Sequence, residues 1–521
     1  MRMRYDAIVI GSGVNGLAAA VHLSAKGWKV SVLERAAMAG GAVKTAEITL
    51  PGFRHDLYAM NLSLFAGSPF LAAHRARLVD AGLEFVAVDR SFATAFPDGT
   101  WLGVERDLEA TAGRIAALNA ADGQCWQRMV AAFATDAQHI FALLGSPMPS
   151  IAALHALLRA WREGGSAFLA RLARLVLASP RNWLDENFAG EKVKVMMAAW
   201  GMHLDFSPDI AGGALFPYLE SMANQSFGMQ IGKNGADVII GAMTRALTAA
   251  GGELRLNAEV VGIVTDDAGA TAVQLSDGER LQAGRAVIAN LNPRLLVRLL
   301  KDAPAVFGPS ARLRPGPGTM MLHLALSDLP DWTAGPALKS FAYVHLAPSL
   351  AAMSKTYTEA LAGLLPSEPV LVVGQPTALD PGRAPPGRHI LWVQVRTLPA
   401  SIAGDADGCI AASDWDTAKE AYADRVIDLI ERYAPGFRRT MLARTVLSPS
   451  DLERDNPNLI GGDSLSGSHH LDQNFMFRPA YGFSRYRTAV ARLYLVGAST
   501  WPGAGTGAGS GFMLAKALAG A

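Results

Sequence analysis

The pattern of apolar and polar positions opens on a βαβ unit. Ala7 to Ile10 is a continuous apolar run, Leu17 to Leu23 continues a helix of small residues, and Val30 to Leu33 is a second apolar run. Two buried strands joined through a helix predict parallel pairing. From about Asn61 to Phe227 the pattern changes to long amphipathic stretches of Ala, Leu and Arg, punctuated by Pro147, Pro149, Pro180 and Pro208, which predicts a mainly helical insertion. Between Gly228 and Pro293 the α/β pattern returns, with a helix through Val238 to Ala250, a Gly251-Gly252 stop, and strands over Glu253 to Val264, Ala272 to Ser276 and Ala286 to Ala289. Thr319 to Leu326, Phe341 to Leu346, Val370 to Val373 and His389 to Arg396 predict strands between Pro/Gly loops, hence a second sheet. The last strand, Leu493 to Val496, leads into a Gly-rich turn and a terminal helix ending at Ala521. The expected division is one discontinuous domain made of residues 1–60, 228–296 and 487–521, a helical lid region at 61–227, and a sheet-containing substrate domain at 297–486.

Composition narrows the class. The chain has 521 residues, half of them hydrophobic and 18% charged, and its 52 glycines are spread through periodic segments, which argues for a folded multidomain protein and against disorder. A formal charge of +1 gives no basic footprint, so no nucleic-acid partner is expected. Cys125 and Cys409 are the only cysteines and form no CxxC, which excludes dithiol redox chemistry. Met1 to Tyr5 runs straight into an apolar strand without a charged-then-apolar leader, and no run of 18 apolar residues occurs. The expectation is a cytoplasmic protein, or one peripheral to a membrane.

The chemistry-bearing motif is Gly11-x-Gly13-x-x-Gly16, set between the first strand and the first helix. The first glycine permits the tight turn, the second lets backbone approach a pyrophosphate, and the third lets helix and strand pack closely, while the helix N-terminus offers unpaired N–H groups. Glu34 lies at the end of the second strand, where a carboxylate accepts from ribose hydroxyls and repels a 2′-phosphate. This constellation admits FAD or NAD and rejects NADP. Gly40-Gly41-Ala42-Val43-Lys44-Thr45 supplies a second flexible turn just beyond Glu34. At the far end, Leu493 to Ala498 followed by Trp501-Pro502-Gly503-Ala504-Gly505-Thr506-Gly507-Ala508-Gly509 makes a strand, a glycine loop and a helix start. An NAD-only dehydrogenase has no use for that second N-terminus, whereas at the pyrimidine end of a flavin it stabilises the negative charge of the reduced ring. FAD is therefore the expected cofactor.

Gly11 to Leu17, Leu33-Glu34, Gly40-Gly41 and Leu493 to Gly509 resemble the phytoene desaturase branch of the glutathione-reductase-type FAD superfamily, over nearly the whole chain. Leu379-Asp380-Pro381, Ala384 to His389, Arg425 to Asp428, Leu471-Asp472-Gln473 and Arg478-Pro479 are similar to the pyridine nucleotide-disulfide oxidoreductase domain-containing 2 proteins and to desaturase-like carotenoid ketolases. The resemblance implies an α/β, Rossmann-like FAD-binding domain with an inserted α+β substrate domain that includes a helical lid. It also implies residue roles: Gly11, Gly13, Asn15, Gly16, Glu34 and Arg35 at the ADP half, Gly41 and Lys44 at the pyrophosphate or flavin, Val260 at the adenine, and Gly497, Gly505, Thr506, Gly507 and Ala508 at the flavin. Two departures stand out. Ala42 replaces the Arg that often follows the paired glycines, which leaves Lys44 to supply a positive charge, and Trp501 replaces the His before Pro-Gly. No second GxGxxG sits between a strand and a helix, so a nicotinamide domain is not expected and oxygen or a quinone is the expected acceptor.

Other candidates carry a plain reading beside the functional one. His323 and His345 lie on predicted strands as acid or base candidates, with a core histidine the preferred reading, and His469-His470 lacks the partners of a metal site. No catalytic residue is assigned, since a flavin oxidation needs no protein base. Trp161 and its neighbouring leucines, bordered by Arg159, Arg162, Arg171 and Arg174, suit either an ordinary lid or a helix resting on a membrane. The functional expectation is FAD-dependent oxidation of a small lipophilic, polyene-like substrate, with an amine-bearing substrate as the alternative, and, in another class, a flavin-binding regulatory or carrier protein without turnover. A homodimer is compatible with the apolar content and with the relatives.

Overall fold

The apolar run Arg4–Ile10 becomes the centre of a parallel sheet in the computed structural model, which describes residues 4–301, 308 and 312–520. Val30–Leu33 pairs on one side of it and Arg280–Ala289 on the other. Glu253–Arg255 extends the first edge, and Leu493–Leu495 pairs with Arg280–Ala289 on the second. Strands buried on both faces must be apolar throughout, and Ala7, Ile8 and Val9 are fully enclosed. Helices Val14–Ala25, Val238–Ala249 and Gly509–Ala519 cover one face. The antiparallel meander Val260–Asp266, Gly269–Leu275 and the first half of Arg280–Ala289 covers the other. Strands from three distant parts of the chain thus share one layer.

A second sheet runs in the order Met441–Leu447, Gly318–Leu326, His389–Leu398, Val370–Gly374, Tyr343–Leu346, Arg90–Ala95, Trp101–Glu105. It is antiparallel except where Tyr343–Leu346 meets Arg90–Ala95. Its faces are sorted by strand alternation. Met320, Leu322, Val344, Leu391, Val393 and Val395 pack under helix Trp415–Tyr433, whose apolar positions recur at helical spacing after the Asp414 cap. Met321, Tyr343 and Trp392 face the opposite way, toward the helices Ala120–Leu144, Glu191–Met202 and Leu215–Phe227.

The expectation of a mainly helical 61–227 needs correcting at its start. Phe85–Val88, Arg90–Ala95 and Trp101–Glu105 are strands; the first pairs with Met229–Gly232 and the other two finish the second sheet. Phe85–Val88 finds its partner Met229–Gly232 far along the chain, which a local pattern does not carry; Arg90–Ala95 and Trp101–Glu105 form a local hairpin across Pro97-Asp98-Gly99, and Arg90–Ala95 also pairs with the distant Tyr343–Leu346. Helix Trp415–Tyr433 and strand Met441–Leu447 are further elements that the pattern did not announce.

A buried ion cluster joins the approach to helix Val238–Ala249 with the loop that follows strand Val370–Gly374. Arg383, fully buried, donates to Asp56 at 2.5 Å, to Asp380 at 3.1 Å and to the Gly232 carbonyl at 2.5 Å. Asp56 in turn accepts from Thr45 and from the Ala236 amide. A buried guanidinium is stable only when its donors are taken up, and here they clamp the hairpin Thr45–Asp56, the turn at 232–237 and the loop at 376–384 together.

Candidate functional site

The first strand ends at Gly11, whose φ of +91° turns the chain, and helix Val14–Ala25 starts after Gly13 with no side chain capping its first turn. Those free N–H groups and the positive end of the helix dipole lie at the wall of a large cavity that Gly13, Val14 and Asn15 line. Gly16 is not on that wall. A Cβ at Gly16 would collide with the Gly11 carbonyl oxygen and stand 3.0 Å from Asn290 Nδ2, so its task is close packing under the loop. Gly41, at φ +60°, backs onto the same turn, where a Cβ would stand 3.2 Å from the Gly13 Cα. Glu34 lines the cavity and is held by its neighbours: one oxygen accepts from Ser12 N at 3.0 Å and Ser12 Oγ at 2.7 Å, the other from Ala36 N at 3.0 Å.

The C-terminal half of the cradle meets the first through Asn290 and Ser510. A Cβ at Gly13, Gly16 or Gly497 would touch the Asn290 side chain, so that one residue sits between the two glycine loops. Ser510 Oγ donates to Asn15 Oδ1 at 2.9 Å and accepts from Gly497 N at 2.9 Å, which ties the last helix to the first. Helix Gly509–Ala519 also begins without a side-chain cap, after Ala508 in the left-handed region. Behind the loop, the fully buried Arg478 donates to the carbonyls of Ala498, Ser468, Leu465 and Gly467. His469 accepts from Ala504 N at 3.0 Å, and burial holds its ring well below the usual histidine range, so it stays neutral and able to accept. These backbone supports fix the Gly497 and Gly505 to Ala508 turns.

Both loops open into one cavity of about 1370 Å³. Pockets for single drug-sized ligands run to roughly 1,000 Å³, so this one has room for a dinucleotide and a further molecule. A closely approachable pair of glycine turns, two uncapped helix starts and a carboxylate beyond the first turn are the features a flavin dinucleotide requires, and the residues present fit it. The remaining part of the wall is aromatic and aliphatic: Trp200, Leu204, Phe216, Leu219, Met321, Tyr343 and Trp392. Polar side chains interrupt it, among them Glu220, Gln394 and Arg396. Burial alone pushes the Glu220 carboxyl up to about 7. Arg396 Nη1 donates to the His203 carbonyl at 3.2 Å and Ser464 Oγ at 3.1 Å, Nε is buried without a partner, and burial lowers the guanidinium to about 10.

Of the residues singled out by sequence, Gly11, Gly13, Asn15, Glu34, Arg35, Gly41, Lys44, Val260, Gly497, Gly505, Thr506, Gly507 and Ala508 all line this cavity, and Gly16 supports it from beneath. Two arrive with their donors engaged. Lys44 pairs with Asp455 at 2.7 Å, beside the Tyr58 hydroxyl that donates to the same carboxylate, so its charge is balanced within the wall. Arg35 donates to the carbonyls of Arg454 and Asp455. His323 and His345 lie off the cavity, fully buried, and burial lowers each to about 3. His323 packs on His55 and His345 on Trp200 and Phe92, so both are core residues. The expected basic face of helix Ile151–Leu177 is largely neutralised: Arg171 pairs with the buried Asp136, Arg159 with Glu163 and Arg174 with Glu186. Among the described residues no helix is long and apolar enough to cross a membrane. Asn290, Glu220, Gln394 and Arg396 went unread in sequence; Asn290 follows the strand Arg280–Ala289 directly, a position that strand-end reasoning reaches.

A family model described as flavin containing amine oxidoreductase matches residues 15–503. The mouse (Mus musculus) pyridine nucleotide-disulfide oxidoreductase domain-containing protein 2 is 29% identical, over 97% of this chain and 91% of its own. The neurosporene-forming phytoene desaturase of Cereibacter sphaeroides is 27% identical, over 96% of this chain and 91% of its own. Among solved structures, an oxidoreductase from Methanosarcina mazei superposes with a TM-score of 0.62 at 18% identity, covering 98% of this chain and 99% of that one. The cyclohexylamine oxidase of Brevibacterium oxydans gives 0.58 at 15% identity, covering 99% and 98%.

Proposed function

The chain belongs to the flavin containing amine oxidoreductase family and is an FAD-dependent oxidoreductase, and on that premise we propose that it dehydrogenates an elongated, largely apolar substrate with oxygen or a quinone as electron acceptor. The observation that carries the proposal is the continuity of the dinucleotide cradle with an aromatic and aliphatic cavity. Gly11 to Gly16, Glu34, Arg35 and Val260 would hold the ADP half, and Gly41, Lys44, Gly497 and Gly505 to Ala508 the flavin half. FAD when bound supplies a two-electron acceptor that takes hydride from carbon. The protein's own part is positional: Trp200, Met321, Tyr343 and Trp392 shape and dry the chamber, and the uncapped helix Gly509–Ala519 offers N–H groups to developing negative charge.

Access for a lipophilic molecule is supported by the rim, where Leu64, Phe141 and Phe227 line the cavity while 47%, 40% and 59% exposed. Six residues past the cavity-lining Gly145, helix Ile151–Leu177 presents Ile151, Leu154 and Trp161 to solvent, which favours delivery from a membrane surface. Oxidation of an amine-bearing substrate is the second reading, favoured by the Glu220 carboxyl on the cavity wall. The test is anaerobic reduction of the FAD-loaded protein by a panel of polyenes, fatty compounds and amines, followed at the flavin absorbance. Bleaching by a polyene or fatty compound is the expected result; bleaching only by amines moves the assignment to the second reading. A protein that stays colourless after incubation with FAD overturns both, and stoichiometric bleaching by NADH overturns the acceptor.

A further inference from the structure

Arg396 is a cation without a carboxylate in ion-pair contact on a largely apolar wall. It lies on strand His389–Leu398 opposite Val370, and by strand alternation shares the cavity side with Trp392 and Gln394. No carboxylate lies within ion-pair distance of it among the described residues. The nearby acids are bonded elsewhere: Asp463, which attracts Arg396 only from beyond contact, accepts from the amides of Gly316, Leu465 and Gly467, and Asp205 from the Tyr357 hydroxyl, with His470 beside its second oxygen. Removing a charge from water without a counter-charge is costly, and the arrangement is stable when something that enters the cavity supplies one.

Resting on the function proposed above, we infer that the substrate is an amphipathic carboxylic acid whose carboxylate pairs with Arg396 while its apolar body lies against Trp200, Met321 and Trp392. A single guanidinium matches a monoanion, and its planar fork matches the two oxygens of a carboxylate. Among the described residues, Arg396 is the one Arg or Lys that lines the cavity from the second sheet and the helices that face it, which leaves a more highly charged head, such as a phosphate dianion, without a second cation. A wholly hydrocarbon substrate would bring no counter-ion to Arg396 and no partner to Gln394 or Glu220. Glu220 does not turn the preference toward amines: its carboxyl, pushed up to about 7 by burial, carries only part of a charge at neutral pH, whereas Arg396, lowered only to about 10, keeps all of its own.

The FAD-loaded protein is titrated with decanoate, decylamine and decanol, which share one chain length and differ in the head. Binding is read by calorimetry and by the flavin difference spectrum, without any requirement for turnover. Decanoate binding at least tenfold tighter than either competitor is the expected result. Arg396→Met abolishes that preference, weakening decanoate by about 30-fold or more while leaving decanol within a few-fold. Arg396→Lys retains part of the preference, which separates lost charge from lost folding. Equal binding of the three probes, tighter binding of decylamine, or an Arg396→Met protein that keeps its preference for decanoate overturns the inference. If a neutral polyene bleaches the flavin while decanoate shows no preference, the carboxylate assignment fails and the proposed function stands. A protein that binds no FAD fails at the proposed function instead.

Discussion

Gly511→Ala places one methyl group between the two ends of the chain. Helix Gly509–Ala519 packs on helix Val14–Ala25, and a Cβ at Gly511 would overlap the Asn15 carbonyl oxygen and stand 2.7 Å from its carbonyl carbon and 3.1 Å from its Cα. Carbon atoms rest about 3.5–4 Å apart, so the helices must separate by roughly 1 Å. In isolation the substitution would stabilise a helix interior by about 1 kcal/mol. Overpacking costs about 1–3 kcal/mol. Separation also stretches the 2.9 Å bond from Ser510 Oγ to Asn15 Oδ1, worth about 0.5–1.5 kcal/mol. The unfavourable effects outweigh the propensity gain by roughly 1–3 kcal/mol. Because Ser510 also accepts from Gly497 N, the strain falls on the loop that joins the two halves of the FAD cradle. At about 1.4 kcal/mol per decade, the FAD dissociation constant rises roughly 5- to 150-fold. Fluorescence titration of the apo-protein with FAD measures it, alongside the thermal midpoint. Gly113→Ala, where a Cβ meets nothing within 4 Å inside helix Leu108–Ala116, is the control and should leave both unchanged or slightly improved. A Gly511→Ala protein with wild-type FAD affinity and midpoint would refute the claim that close approach of these helices builds the site.

Arg383→Met leaves the Asp56 carboxylate buried without its cation and Asp380 with Lys233 alone, and is expected to destabilise by about 3–5 kcal/mol in denaturant unfolding; a loss below about 1 kcal/mol would mean that the cluster does not clamp these segments. Trp501→Phe keeps a ring but deletes the Nε1–H donor to the Ser146 carbonyl, so hydrogen exchange or limited proteolysis between Leu144 and Ser150 should accelerate about tenfold, and unchanged protection there would count against the anchoring role. For Glu220, the folded carboxyl titrates at about 7 while the unfolded one titrates near 4.3. Its contribution to stability is therefore intact below about pH 4.3 and is lost as the pH rises through 7. The midpoint of Glu220→Gln relative to wild type should move upward between pH 5 and pH 8, and a pH-independent difference contradicts the assigned burial.

The dinucleotide cradle was legible because its determinants are local. Strand, glycine turn, helix and Glu34 fall within the first 34 residues, and Gly16 answers a contact with the Gly11 carbonyl inside the same turn. The far loop was legible for the same reason, as a strand followed by glycines and a helix start. Less accessible were elements whose state is decided at a distance. Phe85–Val88 is a strand because Met229–Gly232 lies beside it, and the hairpin of Arg90–Ala95 with Trp101–Glu105 enters the second sheet because Tyr343–Leu346 lies beside Arg90–Ala95. Lys44 was read as a free charge, yet its partner Asp455 lies 411 residues away, beyond any local pattern.

The substrate end turns on a single binary choice that the sequence leaves open. In His389–Leu398 and Gly318–Leu326 the alternation itself is visible, but a strand with apolar residues on both faces does not declare which face meets solvent, helix or cavity. Helix Trp415–Tyr433 makes the choice: by claiming Leu391, Val393, Val395 and Met320, Leu322, Leu324, it turns Trp392, Gln394, Arg396 and Thr319, Met321 toward the cavity. The same rule puts His323 and His345 on the cavity side of the sheet, where neither reaches the cavity. Cover decides that second step, since the His55 hairpin lies over His323 and Trp200 of helix Glu191–Met202 over His345. The sheet thus fixes which side chains are available to a substrate, and the elements packed over it fix which of those are uncovered. Changes in substrate range within this scaffold should therefore arise more readily from residues such as Trp200 and Glu220 on the covering helices than from the strands, where each substitution is constrained by the layer on the opposite face.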